Sequence, residues 1–582
     1  MGFLSFALYG AIAAYVQLAS GAPTENYHSL VSRQDGNCAH TATSRQCWGG
    51  GYYIGTDDET FCPPTGVTRT YVLEITNTTM APDGTKRMVF AINGQYPGPT
   101  ITADWGDMVS VTVKNSLPYN GTSIHFHGIQ QKNSNNMDGT NGITECPLAP
   151  GDSKTYLWQA TQYGTSWYHS HFSNQYGDGV VGPIVVNGPA TANYDIDLGA
   201  YPITDWFYTT AENVGYAQRV EGIPWKADTG LINGTMINSQ GRGAYAKTTL
   251  KPGKTYRLRL INTSVDNNFK VHLDGHNMTI IQADFVAVQP QKVDWLFIAI
   301  GQRYDVLITA NQAVKNYWFR AEAQIDCGEN WNNGNIKSIF SYEGSNLSAL
   351  PTTTATSYTK GCVDQTGLVP WWKKDVPRDV FTAQVKELDV LFSVGKKASW
   401  SNGVSVVQWS INGTMMAINW EQPTLGNVFD GTTDNFTDIQ HVIELPDANA
   451  WSFWIIQSLA GDVTSAPHPI HLHGHDFFVL GAGQGTFPGA DALTFKAPTR
   501  RDVAMLAAVG WLVIAFKTDN PGAWLMHCHI AWHVAEGLSL QFLERASEIP
   551  ETFQLGDEYE QQCAKWDKYY KTAPYKQDQS GL

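Results

Sequence analysis

The sequence predicts an all-β protein of three consecutive, related domains, each a β-sandwich or barrel. Short apolar and β-branched runs alternate with Gly, Pro, Asn and Asp turns, as where residues 88–92 meet Asn93-Gly94. Such strands, spaced by about 8–12 residues, are typical of sandwiches and barrels. The triplet Ile-Asn-Gly recurs at 92–94, 232–234 and 411–413, each time beside a similar strand-rich stretch. This repetition predicts three copies of one folding unit.

Composition and charge argue against nucleic-acid binding and favour a β-rich fold. Acidic residues outnumber basic ones by 53 to 38, the formal net charge is −15, and no basic block stands out. A nucleic acid is therefore not an expected partner. Charged residues make up 16% of the chain, against roughly 25% in ordinary soluble domains, and aromatic residues reach 12%. This mixture favours short strands and tight turns.

The chain divides into a leader and three predicted domains. Residues 1–21 have the pattern of a secretory signal peptide, because a short uncharged apolar run ends in small residues. A membrane anchor is the alternative, but the run is short for one. A polar pro-segment cut after Arg33 is predicted at 22–33, followed by domains at 34–188, 189–370 (with a linker) and 371–582. No later segment offers about 20 uninterrupted apolar residues, so we expect no membrane association.

Glycosylation motifs and cysteines indicate the same compartment. A single Asn-X-Ser/Thr motif means little, but a density of eight favours a secreted glycoprotein; the motifs begin at Asn77, Asn120, Asn233, Asn262, Asn277, Asn346, Asn412 and Asn435. The eight cysteines contain no Cys-X-X-Cys pair of the zinc type, so most are expected in disulfides. We therefore predict a secreted, extracellular glycoprotein.

Ten of the sixteen histidines lie in four tight clusters, a density that random placement does not produce. Isolated histidines are more often structural than metal ligands and are left aside. Two clusters lie in the predicted first domain and two near the far end, so they must meet in space to form one site. The clusters are His125 and His127; His169 and His171; His468, His471 and His473; and His527, His529 and His533 around Cys528.

Strand geometry indicates how these side chains share two sites. Residues i and i+2 face one side of a strand, so each His-X-His pair presents two imidazoles together. His527 and His529 therefore face one way, and Cys528 faces the other. His468, an odd step from the other histidines of its cluster, joins Cys528. His533, beyond the strand end, completes a second site of two histidines and a thiolate.

The ligand types favour copper over zinc. A trigonal set of two histidines and one cysteine with a weak or absent axial ligand is typical of blue copper sites. Structural zinc needs a fourth protein ligand, and catalytic zinc leaves the remaining clustered histidines unexplained. An all-imidazole cage without a protein carboxylate suits copper that binds and reduces oxygen.

The four motifs resemble those of multicopper oxidases, and the chain is similar to ascomycete laccases over nearly its whole length. Residues 142–147 (GITECP), 162–168 (QYGTSWY) and 518–524 (TDNPGAW) carry the resemblance together with the histidine clusters. It implies three cupredoxin-like Greek-key domains and four copper ions per chain. One type 1 copper would lie in the third domain, and one type 2 and two type 3 coppers would form a trinuclear cluster between the first and third.

The resemblance also implies a ligand set for each copper. The alternation of side chains along the strand independently places Cys528 and its two neighbouring histidines in different sites. It does not assign individual copper ions within the cluster. Carried over residue by residue, the type 1 copper takes His468, Cys528 and His533; the type 2 copper His125 and His471; one type 3 copper His127, His169 and His529; and the other His171, His473 and His527.

Leu538 occupies the axial position, ten residues after Cys528, where bilirubin and ascorbate oxidases generally carry methionine. A leucine cannot donate to copper, so Cu(II) is less stabilised and a high reduction potential is predicted. Core packing is the simpler role for this residue, and both roles are compatible.

Two acids complete the candidate catalytic residues, with Cys528 and His533. Asp266 matches the acidic pocket residue of laccases and is predicted to accept a phenol proton, although an Asp-Asn turn is the alternative. With the net charge of −15, it predicts an acidic optimum for phenols. Asp138 resembles the acid that orients water near the type 2 copper and relays protons. Trp409 and Trp532 are candidates for the pocket wall, with core packing as the alternative.

The resemblance further implies three disulfides and a buried tail. Ascomycete laccases end in Asp-Ser-Gly-Leu or similar, a tail that enters the channel to the cluster. This sequence ends DQSGL, so the carboxylate is displaced by one residue. A tail plug at 579–582 is still expected, with a frayed end as the alternative. The implied pairs are Cys38 with Cys47, Cys146 with Cys563 and Cys327 with Cys362, leaving Cys62 free and buried or paired with another molecule.

The resulting hypothesis is a monomeric laccase that oxidises phenols, diphenols and aromatic amines one electron at a time and reduces O2 to two waters. Its partners are small phenols and O2, and lignin degradation is among its expected roles. One alternative is a specialised multicopper oxidase acting on ferrous iron or a secondary metabolite. Iron oxidation is disfavoured because no membrane anchor is evident. The other is a copper carrier without turnover. Such a carrier is expected to contain Met-rich binding tracts, but the 11 methionines are scattered along the chain.

Overall fold

The computed structural model describes residues 38–222, 224–324, 327–397, 405–458 and 466–582. The predicted signal peptide at 1–21 and pro-segment at 22–33 lie outside these residues. Within them the chain forms three sandwiches of antiparallel and mixed sheets in sequence order. The predicted all-β class is confirmed.

The first sandwich pairs two four-stranded sheets. Its strands are β1 (Cys47–Gly49), β2 (Tyr52–Tyr53), β3 (Thr68–Met80), β4 (Arg87–Ile92), β5 (Ile101–Asp104), β6 (Met108–Asn115), β7 (His125–Phe126), β8 (Ser153–Gln159), β9 (Gly164–His169) and β10 (Val181–Asn187). The sheets have the orders β4-β3-β6-β8 and β5-β10-β9-β7, and β1 pairs with β2 beside them.

The second sandwich consists of a six-stranded and a five-stranded sheet, ordered β12-β11-β14-β19-β16-β17 and β13-β21-β20-β15-β18. Its elements are β11 (Ile196–Trp206), α1 (Ala211–Glu221), β12 (Thr229–Ile232), β13 (Lys247–Leu250), β14 (Thr255–Asn262), β15 (Phe269–Leu273), β16 (Met278–Ala283), β17 (Val286–Val293), β18 (Leu296–Ile298), β19 (Arg303–Thr309), β20 (Asn316–Ala323) and β21 (Lys337–Tyr342).

The third sandwich has sheets of the same sizes, ordered β23-β22-β25-β30-β27-β28 and β24-β32-β31-β26-β29. Its elements are α2 (Arg378–Gln384), β22 (Lys386–Lys397), β23 (Ser405–Ile411), α3 (Thr424–Phe429), β24 (Val442–Leu445), β25 (Trp451–Ser458), β26 (His468–Leu472), β27 (Phe477–Gln484), β28 (Thr499–Arg501), β29 (Val503–Leu506), β30 (Gly510–Lys517), β31 (Gly522–Cys528), α4 (Ala531–Ala535), β32 (Ser539–Glu544), α5 (Ile549–Thr552) and α6 (Gly556–Tyr570).

The sheet orders show that the three sandwiches repeat one unit. Strands β11–β21 and β22–β32 take corresponding places in their sheets, and the first sandwich follows the same order with fewer strands. The Ile-Asn-Gly triplets mark the repeat: β4, β12 and β23 end at the isoleucine, and the asparagine then adopts a left-handed backbone with φ of 54°, 50° and 51°. Asn and Gly tolerate this conformation in tight hairpin turns.

Disulfides connect distant parts of the chain as the resemblance implies. Cys146 of the first domain is bonded to Cys563 on α6, and Cys327 is bonded to Cys362. Cys38 is bonded to Cys47. Among the described residues, the cysteines outside disulfides are Cys62, which is partly buried, and Cys528, which is buried. None of the described helices is long and apolar enough to cross a bilayer.

One of the eight glycosylation motifs is buried. The Asn262 side chain is fully buried, and its amide nitrogen donates hydrogen bonds of 3.0 Å to the carbonyls of Asn267 and Ile298. A glycan needs a surface amide, so this motif serves the loop below β14. The other seven motif asparagines are exposed or partly exposed.

Candidate metal centre

Four strand segments bring eight histidines together between the first and third domains. In the first domain, His125 on β7 lies opposite His169 on β9. In the third, His471 on β26 lies opposite His527 on β31. Because side chains of directly opposed residues share a sheet face, each strand pair presents its imidazoles on one side. All eight side chains are buried: His125, His127, His169, His171, His471, His473, His527 and His529.

The imidazoles of the two domains interleave. The His125 ring stacks on His473 with centroids 4.0 Å apart, and the His127 ring stacks on His471 at 3.9 Å. Each stacked pair crosses the domain boundary. The cluster therefore requires both domains.

The nitrogen atoms converge in groups that match the size of metal sites. The donor atoms of His171, His473 and His527 lie within 4.8 Å of one another, and so do those of His125, His471 and His473. A third such group is His125, His127 and His169. His529 Nε2 lies 3.2 Å from His127 Nδ1. These groups bring together the residues predicted to surround the type 2 and type 3 coppers.

The state of the imidazoles suits metal binding. Nε2 of His125, His169, His171 and His471 is buried without a hydrogen-bond partner, which is costly unless another group occupies that position. Burial and the neighbouring imidazoles lower the pKa of His471 well below its ordinary value, and burial lowers that of His527 to about 4. The His471 and His527 rings are thus neutral, the form that ligates metals.

A second group of donors lies on the opposite face of β31. Nδ1 of His468 and Nδ1 of His533 are 3.0 Å apart, and Cys528 Sγ lies 3.5 Å from each. This is the arrangement that strand parity predicts for the two-histidine, one-thiolate site. The Leu538 side chain is fully buried and belongs to the same apolar cluster as Cys528. Two imidazoles and one thiolate without a strong axial donor fit copper.

Comparison with known proteins shows the same architecture in one family. Models of the multicopper oxidases match residues 74–191, 199–345 and 406–548. The chain is 54% identical over 459 residues to Laccase-3 of Botryotinia fuckeliana, covering 77% of this chain and 100% of that one. It is 45% identical to the laccase of Neurospora crassa, covering 100% and 98% of the two chains. A crystal structure of the laccase from Botrytis aclada matches with a TM-score of 0.87 at 41% identity, over 94% and 100% of the chains.

The chain belongs to the multicopper oxidase family. It is an enzyme of the laccase type with copper as its cofactor, and its three sandwiches are the cupredoxin-like domains of that family.

In this multicopper oxidase, Asp138 lies directly outside the histidine cluster. Its Oδ2 is 2.9 Å from His473 Nδ1 and accepts a hydrogen bond of 2.7 Å from the Thr140 hydroxyl. Its backbone carbonyl is 2.8 Å from His125 Nδ1. Hydrogen bonds to the second nitrogen of an imidazole fix its ring and leave the other nitrogen to the metal. Asp138 therefore orients two of the predicted ligands.

Asp502 has a similar position on the other side and was not identified from the sequence. Its Oδ1 lies 3.2 Å from His127 Nε2, and its carbonyl lies 2.8 Å from His471 Nδ1. Arg303 of the second domain holds this carboxylate through two bonds of 2.5 and 2.6 Å. The role of Asp502 depends on contacts with residues of all three domains. A local pattern around Arg501 and Asp502 in the sequence could not indicate it.

A cleft of about 480 Å³ opens beside the thiolate site of the enzyme. His533 lies in its wall, together with Asp266, Phe392, Trp409, Ile530 and Glu536. The Trp409 ring lies 4.6 Å from the rings of both His468 and His533. Trp532 is instead buried against Phe207 and is not among the described residues that line the cleft. Of the two predicted wall tryptophans, the structure places one there.

Two carboxyl groups in the cleft have unusual proton affinities. Burial, reinforced by the Asp205 carboxylate, raises the pKa of Asp266 to about 8. Asp205 itself accepts backbone N–H bonds of 2.8–3.0 Å from residues 265–267 and so shapes the turn that presents Asp266. Burial also raises the pKa of Glu536 to about 8, against the opposing effect of the Arg219 guanidinium. Glu536 was not predicted, although an acid three residues after His533 was a usable signal.

The last residues of the sequence are buried against the third domain. Gln579, Ser580 and Leu582 are 3%, 0% and 2% exposed, so a frayed end is excluded for this segment. The displaced carboxylate of Asp578 binds Arg219 at 2.8 Å, and Gln579 donates to the Ser173 hydroxyl. Ser173 follows His171 by two residues. A plug of the channel stays a prediction.

Proposed function

We propose that this multicopper oxidase is a laccase that oxidises phenols, diphenols and aromatic amines and passes their electrons to O2. The position of Cys528 is the main support. Its sulfur lies with His468 and His533, whereas its sequence neighbours His527 and His529 belong to the histidine cluster. One strand end therefore connects both centres through a few covalent bonds. Bound copper supplies one-electron oxidation beside the cleft and four-electron reduction of O2 to two waters in the cluster.

The donor groups support a ligand assignment for four coppers. Each assigned set consists of side chains that approach one another in the structure. We assign His468, Cys528 and His533 to the type 1 copper; His125 and His471 to type 2; His127, His169 and His529 to one type 3; and His171, His473 and His527 to the other.

Side chains of the cleft bind the phenol substrate and accept its proton. The aromatic and aliphatic wall of the cleft excludes water from one face of a phenol ring. Asp266 in the same wall accepts the phenol proton as the electron leaves, which avoids a high-energy radical cation. Asp138 holds His473 in place and lies beside the cluster, where it would relay protons during water formation.

Other observations support secretion. The three disulfides suit an oxidising compartment, and Asn77, Asn277, Asn346 and Asn435 are exposed in their glycosylation motifs. We infer a secreted, N-glycosylated monomer whose domains follow the boundaries 34–188, 189–370 and 371–582.

A ferrous-iron oxidase is the second candidate, because three carboxylates, Asp266, Glu329 and Glu536, line the cleft. Carboxylate oxygens bind hard cations well. The two functions are separated by supplying each donor to the copper-loaded enzyme.

Oxygen uptake with 2,6-dimethoxyphenol, compared with ferrous iron and with peroxide assayed in the same vessel, tests the proposal. We expect four phenols to be oxidised for each O2 consumed, without peroxide. Uptake with iron alone contradicts the laccase assignment. A fully metallated blue protein without uptake from either donor contradicts both assignments.

A further inference from the structure

The short helix α4 carries His533 and is held from outside. It comprises five residues, with His533 in its middle and Ala535 at its end. The last carbonyl groups of a helix lack partners within the helix and need others. The Ala535 carbonyl accepts a 2.9 Å bond from the backbone N–H of Ser580. The Val534 carbonyl, which also accepts a 3.0 Å bond from the Gly537 N–H, accepts a 2.8 Å bond from the Ser580 hydroxyl. A residue from the end of the sequence thus caps the helix.

Ser580 is itself fixed from the other side. Its carbonyl accepts a 2.9 Å bond from the N–H of Ile418, and the next carbonyl, of Gly581, accepts a 3.0 Å bond from the Trp420 indole. Ser580 is fully buried, and Leu582 lies in one apolar cluster with Ile418, Trp420 and Val534. The segment 577–582 is therefore wedged between the 418–420 loop and α4.

The three donors of the thiolate site differ in what supports them. His468 and Cys528 lie on neighbouring strands β26 and β31, whose register the sheet fixes. His533 lies on a helix of little more than one turn, whose own backbone bonds, such as His533 N–H to the Ile530 carbonyl and Leu538 N–H to the His533 carbonyl, are all local. Any displacement of α4 moves His533 relative to the Cys528 sulfur, 3.5 Å away.

We propose that Ser580 is a positioning residue of the type 1 site: by capping α4 it holds His533 against His468 and Cys528. This inference rests on the type 1 ligands assigned above. It gives the last residues of the sequence a task at the type 1 site, distinct from closing a channel to the cluster.

A second contact anchors the same segment. Asp578 binds Arg219 of α1 at 2.8 Å, and the Arg219 side chain is 4% exposed. Helix α1 packs against α4. The segment is therefore fixed to α4 directly through Ser580 and to the neighbouring α1 through Asp578.

The test compares Ser580→Ala with a matched control in the copper-loaded enzyme. Ser580→Ala removes the hydroxyl bond to the Val534 carbonyl and the 3.2 Å bond that the hydroxyl accepts from the Leu582 N–H, and it keeps the backbone bond to Ala535. Ser338→Ala is the control, because Ser338 is also fully buried, accepts a 2.7 Å bond from Tyr201 and lies in the second domain. After copper content has been measured, each protein is challenged with EDTA, and the decay of its type 1 visible absorption is followed.

We expect the band of Ser580→Ala to decay about fivefold faster than that of the parent, the factor that one lost buried hydrogen bond allows. Ser338→Ala is expected to keep the parent rate even where its thermal stability is lower. Equal decay in Ser580→Ala and the parent, or equal acceleration in both variants, overturns the positioning role. A copper-loaded parent that lacks the band instead overturns the type 1 assignment on which the inference rests.

Discussion

Asp138 and His473 are separated by 335 positions in the chain, yet Oδ2 of the aspartate lies 2.9 Å from Nδ1 of the histidine. The contact crosses from the first domain to the third. It leaves Nε2 of His473 directed at His527 Nε2, 3.4 Å away. A side chain of one domain thus sets the orientation of a proposed copper ligand in another.

Asp138→Ala is expected to reduce O2 consumption with ferrocyanide by about 10–100-fold and to lower the copper content of the cluster. The reason is the loss of an outer hydrogen bond to a ligand. Asp138→Asn keeps an acceptor oxygen and is expected to lose less. Asp567→Asn, at a surface ion pair with Lys571, is the control. Parent-like copper content and rate in Asp138→Ala would contradict the orienting role.

Asp266→Asn is expected to weaken a pH dependence that phenols show and ferrocyanide does not. With its pKa raised to about 8, Asp266 is protonated at acidic pH and gains the capacity to accept a proton as it ionises. The ratio of kcat/KM for 2,6-dimethoxyphenol to that for ferrocyanide should therefore rise with pH and level off above about pH 8. This trend is opposite to the acidic optimum that the sequence predicts.

The variant is expected to show a shallower rise of the ratio between pH 4 and 9, because only the proton loss of the phenol itself remains. Glu329→Gln changes another carboxylate of the same cleft and should keep the parent slope. An unchanged slope in Asp266→Asn assigns proton acceptance to another group.

Leu538→Met should lower the reduction potential of the type 1 copper, since a thioether donates to Cu(II) where the leucine does not. A tenfold relative stabilisation of Cu(II) corresponds to about 59 mV for a one-electron couple. Leu540→Met, at a fully buried position of β32, controls for the change in packing. A redox titration that gives both variants the parent potential would argue against an axial role of position 538.

Cys146→Ser/Cys563→Ser should lower the free energy of unfolding more than Cys327→Ser/Cys362→Ser. The first pair closes a loop of 417 residues and the second one of 35. In the chain-entropy model the difference is about 2 kcal/mol. Urea unfolding of both double variants measures it, and a larger loss for the 327–362 pair would contradict the expectation.

Much of this molecule follows from local sequence. Strand runs, Ile-Asn-Gly turns and histidine spacing predict three repeated sandwiches, because each is a property of a few adjacent residues. The alternation that separates Cys528 from His527 and His529 needs only the period of a strand. Asp502, Arg303 and Ser580 could not be found in this way. Their partners lie on other domains or at the opposite end of the domain, so no periodicity records the contact.

The same limit applies to the buried glycosylation motif. The Asn262 motif is formally complete, but only the packing of β14 shows that its amide is used by the backbone of Asn267 and Ile298. Burial is decided by the whole sheet.

The division of the proposed ligands between domains sets an order for maturation. His468, Cys528 and His533 all belong to the third domain, whereas the cluster takes His125, His127, His169 and His171 from the first and four more from the third. The third domain is synthesised after the first. A nascent chain thus holds half of the cluster ligands long before their counterparts exist. Copper can fill the cluster only after the first and third domains have docked, while the thiolate site needs the third domain alone.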